Sequence, residues 1–247
     1  MGLFYDHIPG SLIQWIEAQH LFYVSTAPLS ESQHVNVSPK GVENTFRLVY
    51  DTSEAERKDN GDIEWKSIKT NTVWYEDLTG SGAETIAHVK ENGRITLMFV
   101  AFEGPPKIVR MFGTARVFEF GTPEYEELLP PGKRQPGSRS AIWVDVHKVG
   151  TSCGFSIPFF AYKAPRNRLS RFALSKEQEE YDHYATFHRT KGLKNLWKKY
   201  NAKSIDGLPA LEFAPESGRP LENWREKVKY EPDDESVASK ESGKGKG

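Results

Sequence analysis

Short segments of strand character, joined by short loops with little helix between them, govern what this 247-residue chain can fold into. HLFYVSTAP (20–28) is rich in β-branched and aromatic residues and is stopped by Pro28. In HVNVSPKG (34–41), Val35 and Val37 alternate with His34, Asn36 and Ser38, as in a half-buried strand, before Pro39 and Gly41 end it. FRLVYD (46–51) and TVWYEDLT (72–79) follow. RITLMFVAFE (94–103) is an apolar run that reads as a fully buried strand. KIVRMFGTARVFEF (107–120) is long, and its Gly113 marks a bulge or bend. AIWVDVHKV (141–149) alternates again. Such an order favours an antiparallel sheet over a doubly wound one. A sheet of about six strands with glycine bends closes most readily into a small barrel, which removes exposed edges.

Helical signals sit around these strands. SLIQWIEAQ (11–19) places Leu12, Ile13, Trp15 and Ile16 on one face. A short helix spans 83–91, and TPEYEELL starts one with Thr122 as N-cap and Pro123 at the first helical position. A charged helix begins at a Ser175 cap and breaks at Gly192. Its early acids (Glu177, Glu179, Glu180, Asp182) and late bases (Lys194, Lys198, Lys199) complement the helix dipole and do not describe a nucleic-acid face. The sequence divides into a barrel domain over 1–170 with a charged surface insertion at 51–70, a helical extension over 171–230, and a disordered tail over 231–247.

Composition excludes several classes. A formal net charge of -1 offers no global basic field to nucleic acid or an anionic membrane. Cys153, the one cysteine, rules out an internal disulfide and a Cys-rich metal site. No apolar run reaches the ~18 residues a membrane span needs. The start, MGLFYDHIPGSL, shows no secretory signal, so the chain reads as cytoplasmic or nuclear.

The turn TGSGAE (79–84) carries two chemistries. Ser81 and Glu84 have the spacing of a capping box. The two glycines entering a helix expose N–H groups at the positive end of its dipole, which suits a phosphate. Lys40, beside Ser38, and Arg110 are the cations that could face such an anion. Glu84 and His88 are four apart and read as an ion pair on a solvated helix face. His183 and His188 read as surface residues, and Trp15, Trp74 and Trp143 as core or dimer contacts.

Taken together, HLFYVSTAP, HVNVSPKG, TVWYEDLTGSGAETIAHVKENGRITLMFVAFEG, KIVRMFG, SCGFSIP and NAKSIDGLPAL resemble the pyridoxamine 5'-phosphate oxidase-like family, in an uncharacterised subgroup, over roughly residues 5–212. The resemblance implies a mainly β fold: a six-stranded antiparallel FMN-binding split β-barrel with short flanking helices and a C-terminal helix. It implies FMN as cofactor, a homodimer with FMN at the subunit interface, and oxidoreductase chemistry on a small-molecule substrate. Ser38 and Lys40 match the strand end that holds the flavin. Thr79, Ser81, Gly82 and Thr85 match the turn and helix start that grip its phosphate. Arg110 matches an arginine of the fifth strand, and Cys153 and Gly154 lie in a block expected near the flavin. The chain departs from the oxidases at two places. Glu84 and Thr85 stand where they carry an Arg-Lys pair, and Arg168-Leu169-Ser170-Arg171 lacks the histidine of their substrate block. Pyridoxine or pyridoxamine phosphate is therefore not the expected substrate. A non-catalytic flavin- or haem-binding barrel and a deazaflavin-dependent reductase are the alternatives.

Overall fold

The structure, a computed structural model, describes residues 2–53, 55–183 and 191–222. The expected 231–247 tail and His188 lie outside the described residues. In chain order the elements are β1 (Leu3–Tyr5), β2 (Ile8–Pro9), α1 (Gly10–Glu17), β3 (Phe22–Thr26), β4 (Asn36–Lys40), β5 (Phe46–Val49), β6 (Lys69–Thr70), β7 (Thr72–Leu78), α2 (Glu84–Asn92), β8 (Arg94–Val100), β9 (Ile108–Glu119), α3 (Pro123–Leu128), β10 (Ser138–Ser152), α4 (Arg168–His183) and α5 (Leu193–Tyr200).

One antiparallel sheet runs β4-β3-β8-β9-β10-β7-β5, and β1 adds to the far end of β10, making eight strands. The sheet curls on itself. Phe22 of β3 meets Phe46 of β5 at 5.2 Å and Tyr75 of β7 at 5.5 Å between ring centroids. Phe46 also meets Phe99 of β8 at 5.1 Å. The two ends of the strand order therefore face each other across an aromatic interior. Among the described residues no hydrogen-bonded ladder joins β4 to β5, which leaves the barrel split there. The mainly β split barrel expected from the strand pattern is the observed architecture.

Alternation explains the inside and the outside. β3 is buried at every second residue, and Val24, Val73, Tyr75, Leu97, Val109, Met111, Ile142 and Val144 are fully enclosed. Each such aliphatic side chain contributes roughly 1.5–3 kcal/mol by burial. The bulge signalled by Gly113 falls on its partner: the β9–β10 register shifts between Val146 and Lys148, opposite Gly113. A Cβ at Gly113 would stand 2.7 Å from the Asp145 carbonyl oxygen, so only glycine fits this close approach.

The helices cover the barrel. α2 ends on Gly93 at φ 74, a left-handed cap, and packs against β3 and β9. In α3 the Thr122 hydroxyl accepts from the Tyr125 N–H, the expected N-cap. The charged 51–70 stretch turns at Gly61 (φ 86), is bridged from Arg57 to Ile63, and returns through β6 to pair with β2. α4 begins at Arg168 and not at a Ser175 cap, so Ser175 lies inside the helix. α5 places Trp197 in the barrel's hydrophobic core, 5.6 Å from the Phe120 ring. The last segment thus shares the core of the barrel.

Candidate cofactor cleft

A cleft of about 1610 Å³ opens between the barrel mouth, the turn after β7 and the segment leading into α4. Its polar lining includes Ser38, Lys40, the turn 79–82, Glu84, Thr85 and Arg139. Its aromatic lining is Trp15, Tyr23, Phe102, Phe160, Tyr162 and Phe172, with Lys163, Arg166 and Arg168 in the same stretch of chain as the last three. Of the residues expected at a flavin site, Ser38, Lys40, Thr79, Ser81, Gly82 and Thr85 line this cleft. Arg110, Cys153 and Gly154 do not. They gather at the other end of β10: Arg110 pairs in register with Gly150 and reaches Ser152 Oγ at 3.4 Å, Cys153 is exposed, and Gly154 packs on the Lys107 backbone.

The turn is built differently from the capping box. Ala83 is the N-cap of α2 and no side chain caps it. Glu84 Oε1 instead accepts from the distant Ile205 N–H at 3.2 Å. Among the described residues no side chain caps the first turn of α2, and Glu84 and Thr85 of that turn line the cleft. Thr79 lines the wall, but its hydroxyl is committed: it donates to the Gly137 carbonyl and accepts from Trp197 Nε1, each at 2.7 Å. Its single hydrogen is used, so Thr79 shapes the turn and has no proton to give a ligand. A side chain at Gly82 would run into the Glu84 carboxylate.

His88 does not form a solvated ion pair with Glu84. It is fully buried, and its Nδ1 meets Thr26 Oγ1 at 3.0 Å. Burial pushes its pKa below the ordinary 6.5, so the neutral ring is the form that packs here. Asn36 Nδ2 donates to Thr85 Oγ1 at 3.0 Å, and Asn36 Oδ1 accepts from Ser38 at 3.2 Å. This chain of contacts ties β4 to the start of α2 and holds Ser38 and Thr85 at the same wall.

Charge at the wall centres on Asp77, which is fully buried. Lys40 Nζ donates to Asp77 Oδ1 at 2.9 Å, and Arg139 Nε donates to Asp77 Oδ2 at 2.8 Å. Arg139 Nη1 also donates to the Gly82 carbonyl at 2.9 Å. Burial opposes the Asp77 charge, yet the Arg139 guanidinium and Lys40 ammonium outweigh it and hold the carboxyl below its ordinary 3.8. A carboxyl lowered on folding stabilises the fold above its unfolded value, and that contribution is lost as pH falls through the folded value. Acid unfolding of Asp77→Asn is therefore expected to lose part of its dependence on pH below about 4, read by circular dichroism between pH 2 and pH 6. An unchanged acid curve would show that Asp77 does not carry this linkage. Glu76, also buried, is pushed the other way, upward, by burial.

Arg139 is the functional residue that local sequence patterns miss. Nothing around GSRSA marks it. It stands at a register shift between Ser138 and Ser140 on β10, where that strand pairs with β7. In the aromatic lining, Tyr162 stacks on His20 at 3.6 Å and 5° and donates to Glu43 Oε1 at 2.7 Å. Burial and Glu43 push the Tyr162 phenol up to about 12, so it stays a neutral donor.

The donor set suits a ligand with a planar ring and an anionic end. Lys40, the Ser81 hydroxyl and the uncapped α2 N–H groups meet an anion, while Ser38 gives its one hydrogen to Asn36, and the aromatic lining meets a ring. A flavin monophosphate fits these requirements.

No protein-family model matches the chain. A pyridoxamine 5'-phosphate oxidase family protein, ustO of Aspergillus flavus, is 33% identical over 217 residues, covering 87% of this chain and 80% of that protein. Solved structures that resemble it include HupZ of Group A Streptococcus, at TM-score 0.41 and 21% identity over 57% of this chain and 97% of that one. A protein of Clostridium acetobutylicum related to general stress protein 26, of the pyridoxinephosphate oxidase family, matches at TM-score 0.34 and 15% identity, over 59% of this chain and 91% of that one. A FAD-binding protein of Mesorhizobium loti matches at TM-score 0.32 and 11% identity, over 61% of this chain and 97% of that one. The chain belongs to the pyridoxamine 5'-phosphate oxidase family. No helix among the described residues is long and apolar enough to cross a membrane.

Proposed function

We propose that this protein is an FMN-dependent oxidoreductase acting on a small molecule other than a pyridoxine phosphate. The observation that carries this reading is the meeting of Lys40, Ser38 and the Gly80–Gly82 turn in a cleft that is also lined by the rings of Tyr23, Phe102, Phe160 and Phe172. Lys40 and the turn bind the phosphate end, with Ser81 and the α2 N–H groups as donors. The aromatic lining and the stacked His20–Tyr162 pair orient the ring and exclude water. The bound flavin supplies two-electron redox chemistry. Arg168 lines the cleft at the start of α4 and is the cation we assign to the substrate. Tyr162 spends its proton on Glu43 and presents its ring to the cleft.

The reading includes a homodimer. Val35 and Val37 at the β4 edge are 69% and 63% exposed, and Phe155 and Phe159 are 83% and 81% exposed, apolar side chains that a second copy would cover. Arg110, Cys153 and Gly154, away from the cleft of their own chain, would complete the site of a second copy.

Visible absorption of the purified protein, with mass spectrometry of whatever denaturation releases, tests the cofactor. FMN is the expected product. Release of haem, a deazaflavin or FAD would overturn the assignment. Lys40→Ala is expected to weaken FMN binding by about tenfold or more, the loss of one charge-assisted contact. Unchanged affinity in a fluorescence titration would remove Lys40 from the site.

A further inference from the structure

We propose that Arg139 gives the cleft its preference for a phosphorylated ligand, by holding Asp77 so that Lys40 is not neutralised. The proposal rests on the reading of this cleft as a flavin phosphate site. Lys40 and Asp77 alone would form a neutral pair, with little attraction for an added anion. Arg139 brings a second cation to the same carboxylate, one on each oxygen, and the trio carries a net positive charge. Lys40 can then turn from Asp77 to a ligand while Asp77 stays paired and buried. The side chains of Arg139 and Asp77 are 5% and 0% exposed and that of Lys40 is 22% exposed, so the lysine is the member the ligand meets.

The backbone is shaped for this role. β10 pairs Ser138 with Leu78 and Ser140 with Asp77, so Arg139 is the extra residue of a β-bulge. A bulge re-aims the side chain it carries. Here the guanidinium reaches back over β7 and binds both the Asp77 carboxylate and the Gly82 carbonyl, tying the charge to the glycine turn. The chain lacks the Arg-Lys pair at the helix start, where Glu84 and Thr85 stand. Arg139 supplies a cation to the same turn from a different strand. It acts through Asp77 and the turn and is a positioning residue.

The test compares two ligands that differ only by the phosphate. The full-length protein is titrated with FMN and with riboflavin, following flavin fluorescence. The unsubstituted protein is expected to favour FMN. Arg139→Gln is expected to lose about tenfold in FMN affinity, with riboflavin affinity changed less than twofold. Arg139→Lys is expected to recover part of the preference. Asp77→Asn keeps both cations and is expected to raise the FMN-to-riboflavin ratio; it decides the matter if Arg139→Gln melts below the assay temperature. Equal losses for both flavins, or an unchanged ratio in these variants, would overturn the proposal while leaving the flavin reading intact. If the unsubstituted protein binds neither flavin, the flavin reading falls. Inorganic phosphate then decides the proposal. A rise in melting temperature for the unsubstituted protein but not for Arg139→Gln supports it, and an equal shift, or none, overturns it.

Discussion

Replacing Trp197 with alanine is expected to lower the unfolding free energy by about 3–5 kcal/mol, the usual cost of removing a large buried aromatic side chain. Trp197 is fully buried, packs on Phe120, and its Nε1 donates to the Thr79 hydroxyl. The substitution opens a cavity between α5 and the barrel and also frees the side chain that sets the turn after β7. Flavin affinity should therefore fall together with stability. Trp197→Phe separates the two effects. It keeps most of the packing and removes only the hydrogen bond, worth about 1 kcal/mol, so its stability loss should be small and its flavin loss comparatively larger. Urea denaturation followed by fluorescence gives the first quantity and FMN titration the second. A loss below about 1 kcal/mol for Trp197→Ala would show that α5 is not part of the cooperative core.

Glu177→Ala is expected to destabilise by a similar amount, about 3–5 kcal/mol. Glu177 is completely buried on α4, accepts two bonds from the Arg134 guanidinium, and also accepts from the Gly137 N–H. Removing it takes from a buried guanidinium its bidentate acceptor, which costs far more than an intact pair contributes. Gly137 sits at φ 83, and its carbonyl accepts from both the N–H and the hydroxyl of Thr79. The loss thus reaches the cleft wall through one residue. Arg134→Met combined with Glu177→Leu removes both charges and is expected to recover part of the stability, leaving the Gly137 N–H as the residual defect. A double variant no more stable than Glu177→Ala would mean that the pair's geometry, and not its charge balance, is what matters.

Features set by neighbours along the chain were legible in the sequence. The alternation of AIWVDVHKV and the Thr122 cap depend on contacts within a few residues, and the structure follows them. HVNVSPKG and RITLMFVAFE form the expected strands, but Val35 and Val37 face outward and the second strand is fully buried on one face only as far as Phe99. The resemblance to a flavin-binding barrel rested on the same strands, and Ser38, Lys40 and the glycine turn that it singled out line one cleft. Distant partners account for two misreadings. Ser81 and Glu84 have the capping-box spacing, but the Glu84 carboxylate finds Ile205, 121 residues on. His88 has the spacing of an exposed ion pair, but Thr26, 62 residues away, receives it in the interior. Ser175 has the chemistry of a cap, yet α4 starts at Arg168 and Ala173 is already buried two residues before the serine.

Arg139 marks the boundary most clearly. Its identity is plain in the chain, but its role depends on a one-residue shift in the pairing of β10 with β7 and on an aspartate 62 positions earlier. Strand identity follows from side-chain alternation, which is local and can be read along the chain. Which charge meets which carboxylate follows from strand register, and register is settled only when the whole barrel buries its aromatic interior.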